Sequence, residues 1–239
     1  MTAYKVRHEH TEDHAHPTFL SDFILGSQDG LVNVLGILLG VAAATSDIRI
    51  LFVAGLAALG AESISMGAVA YTSTLSRRRL YLKEVDQEMR EMREIPKVER
   101  KEVEDVLVEW GYKGSDLRKM LGLICSNPKA WLEFMMAFEL KLSPVPESAP
   151  LRSFLTVLFA TIVGSVIPLV PFAFFGNNMP EGMIASVIIS GATLFMIGYY
   201  EAKVTKGSIW ASGLRMMVIG LVAGFAGYLI GHFIGATPV

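Results

Sequence analysis

Long apolar stretches separated by brief polar breaks dominate this chain. A membrane-crossing helix needs roughly 20 mostly apolar residues. Candidate spans run from about Phe23 to Thr45, Leu51 to Leu75, Phe154 to Phe175, Gly182 to Tyr200 and Ile209 to Ile234. The breaks at 46–50 and 176–181 hold the turn formers Ser46, Asp47, Gly176, Asn177, Asn178 and Pro180. Between the second and third stretches the pattern turns polar but stays helical. No Gly or Pro occurs from Ala68 to Ile95, so the second span is predicted to continue as one helix until Pro96 stops it. A further helix is predicted from Lys97 to Trp110, ended by Gly111, then a short one capped by Ser115. Asn127 and Pro128 read as N-cap and first position of another, reaching about Leu142. Pro144, Pro146 and Pro150 form a stiff connector back to the membrane. The expected fold is all-α: five transmembrane helices plus a cytoplasmic helical domain. The expected divisions are a tail at 1–21, spans one and two at 22–76, the polar domain at 77–150, and spans three to five at 151–239.

Composition agrees. Of 239 residues 52% are hydrophobic and 18% charged, below the roughly 25% charged of soluble domains. Mean hydropathy is +0.45. Of 23 Asp and Glu, 14 lie between residues 84 and 147. The net charge of −2 gives no basic field for nucleic acid. The single cysteine, Cys125, precludes an intrachain disulfide and any CxxC site. The polar N-terminus lacks an apolar signal-peptide core, so the first span is expected to act as its own signal. Basic residues set the orientation. Arg49 is the lone Lys or Arg in the breaks at 46–50 and 176–181 and the C-terminal tail, whereas Arg77, Arg78 and Arg79 directly follow the second span. The N-terminus and the polar domain are thus expected in the cytoplasm, and the C-terminus outside.

Several side chains stand out chemically. Glu88 and Glu91 share a helix face, as do Glu99 and Glu102, and a hairpin at Pro96 would bring the pairs together. Clustered carboxylates repel and favour a cation, with oxygen ligands suiting hard divalent ions and tolerating Fe²⁺ and Mn²⁺. A solvated helix face is the plainer alternative, with Arg90, Arg93, Arg100 and Lys101 nearby. Met135, Met136 and Glu139 lie in WLEFMMAFEL; thioethers bias a site toward transition metals, or simply fill a core. Within the spans, Asp29 and Glu62 are ionisable, and Met66 shares the Glu62 face. Such residues are costly in a bilayer and point to function. Gly36 and Gly40, with small residues in the second and fifth spans, permit close helix packing and a dimer seam. His8, His10, His14 and His16 form a tract that either binds metal weakly or has no role.

Taken together, SQDGLVNVLGILLGV, AESISMGAVAYTS, the Glu-rich insert, NPKAWLEFMMAFELKL and IPLVPF resemble the vacuolar iron transporter family over nearly the whole chain from Asp22. The resemblance implies five transmembrane helices, a cytoplasmic metal-binding domain and a homodimer. It implies proton-coupled export of Fe²⁺ and similar ions from the cytosol. Carried over by motif, the metal ligands would be Glu88, Glu91, Glu99, Glu102, Met135, Met136 and Glu139, and the transport pathway Asp29 and Met66. One position departs. Plant members would carry a pathway glutamate two turns before Met66; here that position is Ala58, and Glu62 lies one turn closer.

The leading expectation is a cation/proton antiporter for Fe²⁺, Mn²⁺ or other divalent metals, with Asp29, Glu62 and Met66 forming an intramembrane site. The ions are cargo, and no prosthetic group is expected. Partners are metal ions, protons, membrane lipid and a second copy, without nucleic acid. The membrane would be the cell membrane in a prokaryote or the vacuolar membrane in a eukaryote. A metal-gated cation channel is an alternative. A membrane di-iron carboxylate oxidase is a further one, but bundle di-iron sites use Glu-x-x-His pairs, and no His lies between Pro17 and Gly231. A non-enzyme is therefore expected.

Overall fold

The computed structural model describes residues 17–235 except Asn177. The elements, in order, are α1 (Pro17–Ala44), α2 (Ile48–Glu94), α3 (Pro96–Glu109), α4 (Gly114–Cys125) and α5 (Pro128–Phe134). A π-helical turn (Met135–Glu139), α6 (Ala149–Phe175), α7 (Met179–Thr205) and α8 (Ile209–Gly235) follow. No strand occurs among the described residues. Five helices, α1, α2, α6, α7 and α8, are long and apolar enough to cross a membrane. The chain forms two compact units, one from the described residues up to Ala70 with those from Leu151 on, the other from Tyr71 to Pro150. The N-terminal His tract lies outside the described residues.

The membrane-helix unit is built on close backbone approach. A methyl added at Gly40 would sit 2.9 Å from the Gly227 carbonyl oxygen, and one at Gly198 2.6 Å from that of Ser212. Gly227 and Gly231 in turn press on Gly36 and Gly40, so α1 and α8 meet along a seam with no room for a Cβ at Gly40, Gly227 or Gly231. In an apolar solvent this is how helices gain contact: dispersion and shape replace the hydrophobic effect. Large side chains fill the spaces between helices. Val34 and Leu38 of α1, Leu51 of α2, Leu169 and Phe172 of α6 and Met179 of α7 form one buried cluster. Some buried polar groups find partners within the unit, Ser153 donating to Asp22 at 2.6 Å and Ser186 to the Pro168 carbonyl at 2.8 Å, whereas the hydroxyls of Ser63, Ser165 and Ser190 have none.

The second unit is a small helical bundle. Pro96 lacks the N–H that would continue α2 and instead opens α3, whose first turn does not need one. Gly111, at φ 93, ends α3 with its N–H on Val108 and that of Tyr112 on Leu107, a left-handed cap that suits glycine. The Asn127 side chain accepts from the Lys129 and Ala130 N–H groups and caps α5. Val103, Leu107, Leu121, Phe134 and Met135 make the core.

Two sequence expectations need correction here. Ser115 does not cap α4; it lies inside the helix, and Lys113 occupies the cap position without a side-chain bond. The helix from Pro128 does not run regularly to Leu142. It widens into the π turn at Met135, with the Leu140 N–H on the Met135 carbonyl at 3.0 Å, and Lys141 at φ 54 ends it. Bulky aromatic packing accompanies the widening: Phe134 and Phe138 both lie against Trp110, at 5.6 and 4.8 Å between centroids.

Candidate metal centre

Two residue groups, one in each unit, gather candidate ligands. In the 71–150 unit the face of α2 that carries Glu88 and Glu91 meets the first turn of α3. Ligand oxygens of Glu88, Glu91 and Glu99 lie within 4.8 Å of one another. Metal–oxygen distances of about 2.0–2.6 Å let one divalent ion reach all three. Glu88 is 4% exposed and Glu99 2%, a depth at which carboxylates are almost never found unless paired. Yet Glu88 Oε2, Glu99 Oε2 and Glu139 Oε2 are buried with no hydrogen-bond partner.

The electrostatics follow from that burial. Desolvation, with Glu99 next and then Glu139 and Glu91, lifts the Glu88 carboxyl to about 8. Burial and then Glu102 push Glu99 up. Burial and then Glu91 raise Glu102. Burial, then Glu102, Glu91 and Glu84, raises Glu139. Carboxylates from α2, α3 and the π turn therefore share one field. Glu84 joins them from one turn before Glu88, a neighbour that the sequence reading left out although it continues the same helix face. Met135 and Met136 are buried on the same π turn as Glu139, and Met135 packs into the bundle core. The π turn widens the chain between Met135 and Glu139.

In the membrane-helix unit, Asp29 and Glu62 are drawn together by a residue that sequence reasoning missed. The Asn33 amide Nδ2 donates to Glu62 across the α1–α2 pair and lies 3.4 Å from Asp29 Oδ1. Asn33 sits one turn from Asp29, so both face α2 at the level of Glu62. Two carboxylates and an amide thus form an oxygen-rich patch in an otherwise apolar layer. Met66 lies one turn beyond Glu62 on the same helix, half-buried. Ala58, at the position where the plant pattern would carry a glutamate, packs against the apolar core.

Comparison with families of known proteins matches residues 20–232 to the VIT family. The chain is similar to Vacuolar iron transporter 2 of Oryza sativa subsp. japonica, 33% identical over 92% of this chain and 89% of that protein. It is likewise similar to Vacuolar iron transporter 1 of Arabidopsis thaliana, 31% identical over 92% and 88%. Protein CCC1 of Saccharomyces cerevisiae is 29% identical over 92% of this chain and 70% of its own. With five membrane-length helices, a buried carboxylate cluster and a match from residue 20 to 232, this chain belongs to the vacuolar iron transporter family.

Proposed function

We propose that this protein exports Fe²⁺, and with it Mn²⁺ or related divalent transition metals, from the cytosol in exchange for protons. The observation that carries the reading is the set of buried, unpartnered oxygens on Glu88, Glu99 and Glu139. Buried carboxylates without donors are expensive, and a divalent ion satisfies several at once. Family membership supports metal transport, since the relatives are named as iron transporters. In this reading the 71–150 unit is cytoplasmic and collects the ion with Glu88, Glu91, Glu99, Glu102, Met135, Met136 and Glu139. Asp29, Glu62 and Met66 form the intramembrane site, paired with those of a second copy in a homodimer. The N-terminus is cytoplasmic and the C-terminus outside, in a cell or vacuolar membrane.

The exchange follows from carboxylate chemistry. A carboxylate that holds a proton cannot hold the metal, so each state empties the other. Glu62 lies roughly 11 residues from either end of the apolar part of α2, too deep to reach water by extending its side chain. With Asp29 beside it through Asn33, it has a partner whose charge it shares rather than cancels.

Proteoliposomes holding the full-length protein test this directly. A pH gradient opposite to the Fe²⁺ gradient is expected to drive Fe²⁺ accumulation, with matching proton movement. Fe²⁺ flux without proton movement would replace antiport by a channel. Glu62→Gln is expected to abolish transport while the full-length protein still binds Fe²⁺ at the carboxylate cluster. Normal transport in that variant would remove Glu62 from the pathway.

A further inference from the structure

A cavity opens in the membrane-helix unit where α7 and α8 part. Near the turn that joins them, the two helices touch backbone to backbone. A methyl added at Gly198 would sit 2.6 Å from the Ser212 carbonyl oxygen, and one at Gly213 3.0 Å from that of Phe195. By Gly191 the approach has relaxed, and an added methyl meets only the Leu221 and Met217 side chains, at 3.6 Å or more. On the far side of Gly191 each helix turns to a different neighbour. There α7 leans on α6: a methyl at Gly182 would lie 2.8 Å from the Phe172 ring, and Ser186 donates to the Pro168 carbonyl at 2.8 Å. Meanwhile α8 leans on α1, with Gly224 against Leu35 and Leu39 and Gly227 against Gly36. The space left between α7 and α8 is a cavity of about 460 Å³.

Leu35 and Leu39 of α1 form its floor. Leu221, Phe225 and Tyr228, spaced four and three apart along one face of α8, make a wall about 10 Å long. The Phe225 and Tyr228 rings lie near parallel, 6.4 Å between centroids and 17° between planes. Ile184, Val187 and Ile188 of α7 make the opposite wall. No charged side chain lines the cavity, and the Tyr228 phenol is its one hydroxyl. Such a lining offers nothing to a metal ion or an anion. It lies within the membrane-length helices α1, α7 and α8. Ile184, Ile188 and Phe225, at 62%, 63% and 59% exposure, carry its rim onto the outer surface of the unit. That surface faces hydrocarbon, so the cavity is continuous with the lipid interface.

We propose that this cavity holds one acyl chain of a membrane phospholipid, lodged between α7 and α8 against α1. In a bilayer no hydrophobic effect drives the chain in, since its surroundings are as apolar as the lining. Dispersion does, because three helices surround the chain with contacts that an unfilled gap forfeits. The volume falls within the range of about 300–1,000 Å³ of small-molecule sites. With no charge in the lining, the chain and not the headgroup is recognised. The cavity shares no residue with the carboxylate cluster or with Asp29, Asn33 and Glu62, so its occupancy does not depend on the cargo.

The test is a titration of the full-length protein in detergent micelles with a phosphatidylcholine whose acyl chains carry bromine, a quencher of tryptophan. Trp210→Phe removes the tryptophan of the membrane-helix unit. In that background Phe225→Trp places a reporter on the cavity wall. Ile219→Trp places one at an exposed position two residues from Leu221, on the opposite side of α8. Phe225→Trp is expected to lose fluorescence with saturation near one lipid per protein, and Ile219→Trp only in proportion to the lipid content of the micelle. Adding Val187→Phe, which fills the cavity, should abolish the saturable loss. Phosphatidylglycerol with the same brominated chains should give the same curve. Native mass spectrometry of the unaltered protein reads the site without any variant, and one phospholipid should survive detergent exchange. Equal, unsaturating quenching at both positions would overturn the proposal, as would saturable quenching that persists with Val187→Phe or release of all phospholipid from the unaltered protein. A disulfide between two copies carrying Phe225→Cys and Cys125→Ser would also overturn it, by giving the cavity to a second copy.

Discussion

Glu88 shows how a single residue sets the pH response. Its folded-state carboxyl sits near 8 because burial and Glu99 disfavour its charge. Raised above the ordinary carboxylate value, it contributes stability that is complete in acid and lost as pH climbs through 8. The metal-free protein should therefore unfold at a lower temperature at pH 9 than at pH 6, and Mn²⁺ should restore it. Metal must also displace the proton. Mn²⁺ affinity measured by calorimetry is expected to rise from pH 6 to 8, by up to about tenfold per unit for one displaced proton, then level off. Glu88→Gln should bind more weakly with a flatter profile; an unchanged profile would assign the proton elsewhere. Asn33 makes a second residue-scale case. Asn33→Leu removes the donor between Asp29 and Glu62, and Fe²⁺ flux is expected to fall more than tenfold while binding at the carboxylate cluster persists. The glutamates were legible in the sequence because their spacing of three marks a helix face. Asn33 was not, since a neutral amide carries no warning by itself and its partner Glu62 lies 29 residues away on another helix.

Helices were readable wherever a local rule decides them. Pro96 announces its own break, Asn127 its cap and Gly111 its stop, each through a backbone preference confined to a few residues. The π turn at Met135–Glu139 was not readable, because it arises with packing of Phe134 and Phe138 on Trp110, the residue that follows α3. Nor did Ser115 act as the cap its type suggested, since the helix starts a residue earlier at Gly114. The glycines of α1 and α8 showed small-residue spacing, but not which helix each would meet. Their pairing gives an element-scale expectation. Gly40→Val would drive its side chain into the Gly227 carbonyl, 2.9 Å from the added Cβ, across a backbone that has no flexible side chain to move aside. A loss of about 1–3 kcal/mol is expected, seen as a lowered unfolding temperature in detergent; Gly60→Ala, which meets open space, is the matched control.

On the scale of the whole molecule, the orientation we propose is open to a direct check. With Cys125→Ser as background, cysteine at exposed Glu147 should resist a membrane-impermeant maleimide in intact cells, and cysteine at exposed Asp47 should react. The reverse pattern would invert the transporter and turn export into import. Hydrophobic length alone made the five spans legible, because the bilayer imposes a single ruler on all of them. The α1–α8 seam has a consequence for any transport cycle. Two backbones in direct contact cannot come closer, and separating them would open a void that neither side chains nor water can fill. Labels placed on α1 and α8 should therefore report one unchanging spacing with or without cargo, which makes this pair the stationary frame against which the moving helices can be measured.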